Sequence, residues 1–136
     1  VIWNTDMAGA AERPLSPHLQ IYRPMLTMMM SIVHRITGVA LYFGTALLVI
    51  WLLAAASSGQ AFSTVNGLYG SWLGLLVLVG YSWALIHHAL GGIRHFVWDT
   101  GAGFGPGPRE LFAKLTIGGS VALTVVMWVV IWLVKG

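Results

Sequence analysis

The chain has 136 residues, 57% of them hydrophobic and only 8% charged, with a formal net charge of +3. A soluble domain carries about 25% charged residues, so this chain cannot clothe a water-facing surface and reads as an integral membrane protein. It contains no cysteine, which excludes a disulfide framework, an iron–sulfur cluster or a thiolate nucleophile supplied by this chain. No basic run points to nucleic acid.

In chain order, Val1 to Arg13 lacks the basic start and apolar core of a secretory signal, so insertion is expected to rely on internal spans. RPLSPHLQIYRP follows, with Pro14, Pro17 and Pro24. These prolines disfavour a long helix, so residues 1–24 read as an N-terminal surface segment. Residues 25–136 read as a three-helix transmembrane domain with spans at about 25–56, 68–93 and 109–134. Pro24 is expected to open the first helix.

Charged residues stop at Arg35 and return at Arg94. The apolar core of the first span, Ile36 to Ala56, has about 21 residues, enough to cross roughly 30 Å of hydrocarbon. SSGQAFSTVNG, residues 57–67, reads as a polar turn region. The second apolar segment begins near Leu68 and carries His87 and His88 close to its end. DTGAGFGPGP then forms a Gly/Pro-rich loop, and Pro108 suits the start of the third helix. Continuous apolar runs of this length exclude the alternating pattern of a membrane barrel, so the fold class is all-α.

Orientation follows from the basic residues. Arg13, Arg23 and Arg35 precede the first span, and Arg94, Arg109 and Lys114 lie between the second and third. One face therefore holds six of the seven basic residues, and Lys135 alone lies at the other. The positive-inside rule puts that face on the cytoplasmic side, or on the matrix side of a mitochondrion. Trp51, Trp98 and Trp132 fall near span ends, as interfacial aromatics do.

Ionisable groups within a membrane helix are costly, so each asks for a reason. Gly92 stands four residues after His88 and His95 seven, which places all three on one helical face, with Gly91 widening the gap. A histidine beside small residues leaves room for a flat group such as haem, whose iron takes a neutral imidazole. The alternative is a polar histidine bonded to a neighbouring helix. His87 points about 100° away and can simply face a partner. Ser31, His34 and Arg35 also cluster within one turn. A hydroxyl, an imidazole and a guanidinium can bind quinone oxygens or haem propionates. Taken alone, the plainer account is a basic anchor at the helix end. Topology brings this cluster to the face that carries His88, Arg94 and His95, where one anionic cofactor would explain both groups. Asp99 is expected to pair with Arg94, the alternative being a part in proton delivery. Met28, Met29 and Met30 read as adaptable packing at a protein interface, and Gly118 and Gly119 as sites of close helix approach. The chain holds no paired carboxylates, phosphate loop or catalytic triad.

RPLSPHLQIYRP, then SIVHRITG, then HHALGGIRHFVWD, in this order and place, resemble the cytochrome b membrane-anchor subunit of succinate dehydrogenase, respiratory complex II. The resemblance covers most of the chain, though the third span and first loop match only in character. It implies that His88, seven residues before the histidine of GIRH, is an axial ligand of haem b. The second axial histidine is expected from another small membrane-anchor subunit. Ser31 and Arg35 match residues lining a ubiquinone pocket beside the iron–sulfur subunit. His34, Arg35 and His95 match positions near the haem propionates. The flavoprotein subunit would oxidise succinate, and electrons would reach quinone through iron–sulfur clusters. This chain would thus be a subunit of an oxidoreductase without the succinate site, in a bacterial inner or mitochondrial inner membrane. Three other readings stay open: a haem-free structural anchor, a fumarate reductase anchor, and a proton-coupled transporter subunit using His87 and His88. The ionisable groups gather at one end of the spans and do not cross them, which speaks against the last.

Overall fold

The computed structural model describes residues 22–135. Expectations that fall on residues 1–21, most of the proline-rich segment included, lie outside the described residues. Four helices follow in order: α1 Leu26–Ser57, α2 Gly59–Tyr69, α3 Trp72–Asp99 and α4 Pro106–Lys135. No strand occurs among the described residues. Helices α1, α3 and α4, with 32, 28 and 30 residues, are long and apolar enough to cross a membrane. At 1.5 Å per residue each exceeds 40 Å or so, against about 30 Å of hydrocarbon. Their ends therefore extend into the headgroup zone, and the first turns of α1 and the last turns of α3 can carry His and Arg there.

The surface confirms the solvent. Leu47, Leu53, Leu76, Val126 and Leu133 are exposed, while Met30, Ala54, Ala84 and Ala113 are the buried hydrophobic residues among those described. Thr37, His87, Arg94, Thr116, Ser120 and Thr124 are buried as well. An apolar exterior around a small and partly polar interior is the arrangement lipid permits, because lipid offers polar groups no partner. The hydroxyls accordingly turn inward on their own helices: Thr45 donates to the Leu41 carbonyl, Ser82 to Leu78 and Thr116 to Phe112.

Helix α3 lies between α1 and α4. Gly44 of α1 lies under the Tyr81 ring, and the His34 and His88 rings meet further along. As α1 advances α3 recedes, so the two are antiparallel. A Cβ on Gly44 would collide with Tyr81, so the small residue sets how closely these helices approach. On the other side of α3, a Cβ added to Gly119 of α4 would stand 3.4 Å from Leu90, whereas one on Gly118 would meet nothing within 4 Å. Only one glycine of that pair therefore serves the close approach. The α3–α4 loop turns at Gly101 and Gly103, whose φ angles of 80° and 79° disfavour residues with a Cβ.

Several boundaries differ from the sequence expectation, the end of α3 at Asp99 among them. The segment read as a polar turn is helix α2. Ser58 is extended and its Oγ accepts from Ala61 N–H at 3.2 Å, capping the helix start. Tyr69 at the far end donates to the Leu47 carbonyl at 2.7 Å, and Trp51 meets Phe62 edge-on, which ties α2 to the C-terminal end of α1. Leu68 and Tyr69, taken in sequence with the second span, thus belong to α2, and α3 starts at Trp72 behind the Ser71 cap. Helix α1 starts at Leu26, two residues beyond Pro24, and α4 starts at Pro106, two before Pro108. Pro106 and Pro108 both fit in a first turn, where the missing N–H groups have no intrahelical partner.

Candidate haem and quinone site

The N-terminal end of α1 and the last turns of α3 form a cleft of about 310 Å³, lined by Thr27, Ser31, His34, Arg35, Arg94, His95 and Trp98. Of the residues expected from sequence, Ser31, His34, Arg35 and His95 all line it. Two arginines and two histidines face it with no carboxylate among the lining residues, so it favours an anion. Ser31, Arg35 and His95 are exposed in this chain, while Arg94 is only 6% exposed.

His88 sits one layer deeper. Its ring stacks on His34, with centroids 3.9 Å apart and planes within 7°, and His34 in turn meets His95 at 5.4 Å. The contacts of His88 define its tautomer. Nδ1 lies 3.2 Å from the His34 carbonyl and 3.3 Å from Thr37 Oγ1. A carbonyl can only accept, and the Thr37 hydroxyl already gives its hydrogen to the same carbonyl at 2.9 Å. Both contacts therefore require a proton on Nδ1. In the neutral ring the lone pair is then on Nε2, which makes no hydrogen bond to a described residue.

His87 is built the other way. It is 1% exposed and turns to α4, where Nδ1 lies 3.1 Å from Ser120 Oγ. Ser120 donates to the Ile117 carbonyl, so His87 is the donor here too. Its Nε2 is buried without a partner among the described residues, and Trp83 covers the ring at 5.1 Å. A planar cofactor has no access to that nitrogen. The glycines do different things. A Cβ on Gly91 would press on the His34 ring and one on Gly38 of α1 would stand 3.1 Å from His88 Cε1, so these two let the rings pack against backbone, whereas a Cβ on Gly92 would meet nothing within 4 Å.

Arg94 departs from its expected pairing with Asp99. The one ion pair among the described residues joins Lys114 to Glu110 at 3.8 Å. Residues five apart lie about 140° apart around a helix, so Arg94 and Asp99 face different ways. The Arg94 guanidinium instead lies over Trp98, 5.0 Å from the ring centroid. Its Nε and the Nδ1 of His34 are buried with no partner among the described residues. Trp98 Nε1 is buried without a partner as well, and three orphaned polar atoms on the residues of one cleft are what an incoming anionic group would satisfy. Met30 is fully buried inside this chain, leaving Met28 and Met29 exposed. A larger cavity of about 380 Å³, lined mainly by apolar residues around Gly44, Leu47, Trp51 and Tyr81, lies toward the opposite end and has no such cluster.

Residues 10–127 match the family model described as succinate dehydrogenase/fumarate reductase transmembrane subunit. The succinate dehydrogenase cytochrome b556 subunit of Paracoccus denitrificans is 44% identical over 118 residues, which cover 87% of this chain and 91% of that one. The cytochrome b556 subunit of Rickettsia conorii is 38% identical over the same length, with 92% of its own chain covered. The mitochondrial cytochrome b560 subunit of Sus scrofa is 39% identical over 103 residues, 74% of this chain and 60% of that one. This chain therefore belongs to the succinate dehydrogenase/fumarate reductase transmembrane-subunit family, as a multi-pass membrane protein of the succinate dehydrogenase cytochrome b kind.

Proposed function

We propose that this chain supplies one axial ligand to a haem b and part of the quinone-reduction site of a succinate dehydrogenase. The observation that carries the reading is the contact of His88 Nδ1 with the His34 carbonyl at 3.2 Å, with Nε2 left unbonded. A ligating histidine donates its other ring N–H to an acceptor such as a backbone carbonyl, which fixes the ring and raises its basicity. His88 has that arrangement and His87 offers no open nitrogen. Gly38 and Gly91 let the stacked rings lie against the helix backbones, and the space beside Gly92 is open. The orphaned Nδ1 of His34 and Nε of Arg94, with Arg35 and His95, supply donors for two propionates. The residues present thus fit the group. When bound, haem would accept and return a single electron.

At about 310 Å³ the cleft stands at the lower end of small-molecule pockets. It suits a ring-sized quinone head and not a whole tetrapyrrole, so a second small anchor subunit would complete the haem walls and give the other histidine. Quinone reduction consumes two electrons and two protons. The exposed Ser31 hydroxyl donates a hydrogen bond to a quinone oxygen and relays a proton from water. The Arg35 guanidinium stabilises negative charge on the reduced ring. No residue of this chain acts on succinate. The flavoprotein and iron–sulfur subunits would do that, and they would dock where this cleft opens. The basic residues put that face on the cytoplasmic or matrix side of a bacterial or mitochondrial inner membrane. The relatives quoted are succinate dehydrogenase subunits, which favours succinate oxidation over fumarate reduction.

The test uses the purified complex. Ser31→Ala and Arg35→Ala should each lower quinone reductase activity by roughly 10²-fold, the scale of losing one transition-state donor. Succinate oxidation with an artificial acceptor should persist. Equal loss of both activities would show failed assembly and remove the quinone assignment.

A further inference from the structure

Thr37 has the back-bonded hydroxyl common to serines and threonines in membrane helices. Its oxygen differs from those of Thr45, Ser82 and Thr116 because it also faces a ring nitrogen on another helix. Thr37 is 1% exposed, so no water competes for that contact. Its hydrogen is committed to the His34 carbonyl at 2.9 Å. Toward His88 the oxygen is therefore an obligate acceptor. The Nδ1–H of His88 is shared between that oxygen at 3.3 Å and the carbonyl at 3.2 Å. Gly38, next in sequence, lets the ring lie against the α1 backbone.

We infer that Thr37 is a positioning residue: its hydroxyl and the His34 carbonyl together hold the His88 imidazole as the Nδ1–H tautomer with Nε2 presented to the haem iron. The inference rests on the reading of His88 as an axial ligand. Donation from Nδ1–H increases the basicity of Nε2. A more basic ligand stabilises the ferric form, so the two acceptors keep the haem potential low. Removing one of them shifts the potential upward. Valine has the shape of threonine and keeps the β-branch, so Thr37→Val removes the hydroxyl, both the acceptor toward His88 and the donor to the His34 carbonyl.

The experiment compares wild type, Thr37→Val, Thr37→Ser and His88→Ala as intact purified complexes. The readouts are haem content, redox titration of the haem and its low-spin EPR spectrum. Thr37→Val should retain haem within twofold, move the midpoint potential positive and shift the largest g value. Thr37→Ser should restore both signals, which a purely steric role would not require. An unchanged or more negative potential in Thr37→Val overturns the inference, as does a serine variant that fails to restore it. If Thr37→Val does not assemble, Thr37→Ala is judged by the same potential and g value. His88→Ala separates the two levels. Persistence of a bis-histidine signal there defeats the ligand reading itself, whereas its loss together with a silent Thr37→Val defeats only the role of Thr37.

Discussion

His87 and His88 are adjacent in sequence, and their surroundings have little in common. Each donates from Nδ1, one to Ser120 of α4 and the other toward the His34 carbonyl and Thr37 of α1. The Nε2 of His87 is buried without a partner among the described residues, while His88 is half-buried with its ring against Gly38. A rotation of about 100° per residue is enough to send neighbours to opposite helices. Two histidines side by side in a membrane helix are thus no evidence of a shared task. One fastens α3 to α4, and the other, in the function proposed above, faces the cofactor. The same helix carries both jobs because it is the middle element of the three spans.

Four substitutions sharpen that contrast. Arg94→Gln should have the largest effect. It removes a buried guanidinium proposed to meet a propionate, and truncating such a pair costs about 2–5 kcal/mol of binding. Haem retained through detergent washing, measured by pyridine haemochrome, should fall sharply while the subunits stay together. His87→Ala comes next. It deletes a buried side chain and its interhelical bond, so it should cost about 1–3 kcal/mol in unfolding of the complex and leave the optical haem band in place. Tyr69→Phe removes the α2–α1 tie to the Leu47 carbonyl, worth about 1 kcal/mol, and thermal unfolding should show it with no change in quinone reduction. Ser120→Ala is the smallest. Interhelical polar contacts in membranes average about 0.6 kcal/mol, and a double-mutant cycle with His87→Ala should return a coupling of that size.

Much of the fold was legible because lipid imposes one simple demand. Uncharged runs long enough to cross the bilayer gave three spans, and the absence of alternating polarity gave helices. Helix α2 was not legible to a reading that weighed only polarity. Its signal was present in Ser58 as a cap and in Ala61, Phe62, Val65, Leu68 and Tyr69 at helical spacing. In the site, spacing and motif brought Ser31, His34, Arg35, His88 and His95 to one end of the bundle. Spacing could not say which of Gly91 and Gly92 faces α1, because both lie within one turn of His88. It also paired Arg94 with the nearest acid in sequence, when the Trp98 ring four residues on was the closer partner. Gly38 and Thr37 were invisible for a different reason. Their importance comes from contact with a helix some fifty residues away, and a single sequence does not carry that pairing.

The central claim is that His88, and not His87, is the haem ligand from this chain. Low-temperature EPR of the purified complex with His88→Ala and with His87→Ala tests it most directly. The account predicts that His88→Ala abolishes the low-spin bis-histidine signal and that His87→Ala keeps it. A signal lost in His87→Ala and kept in His88→Ala would contradict it.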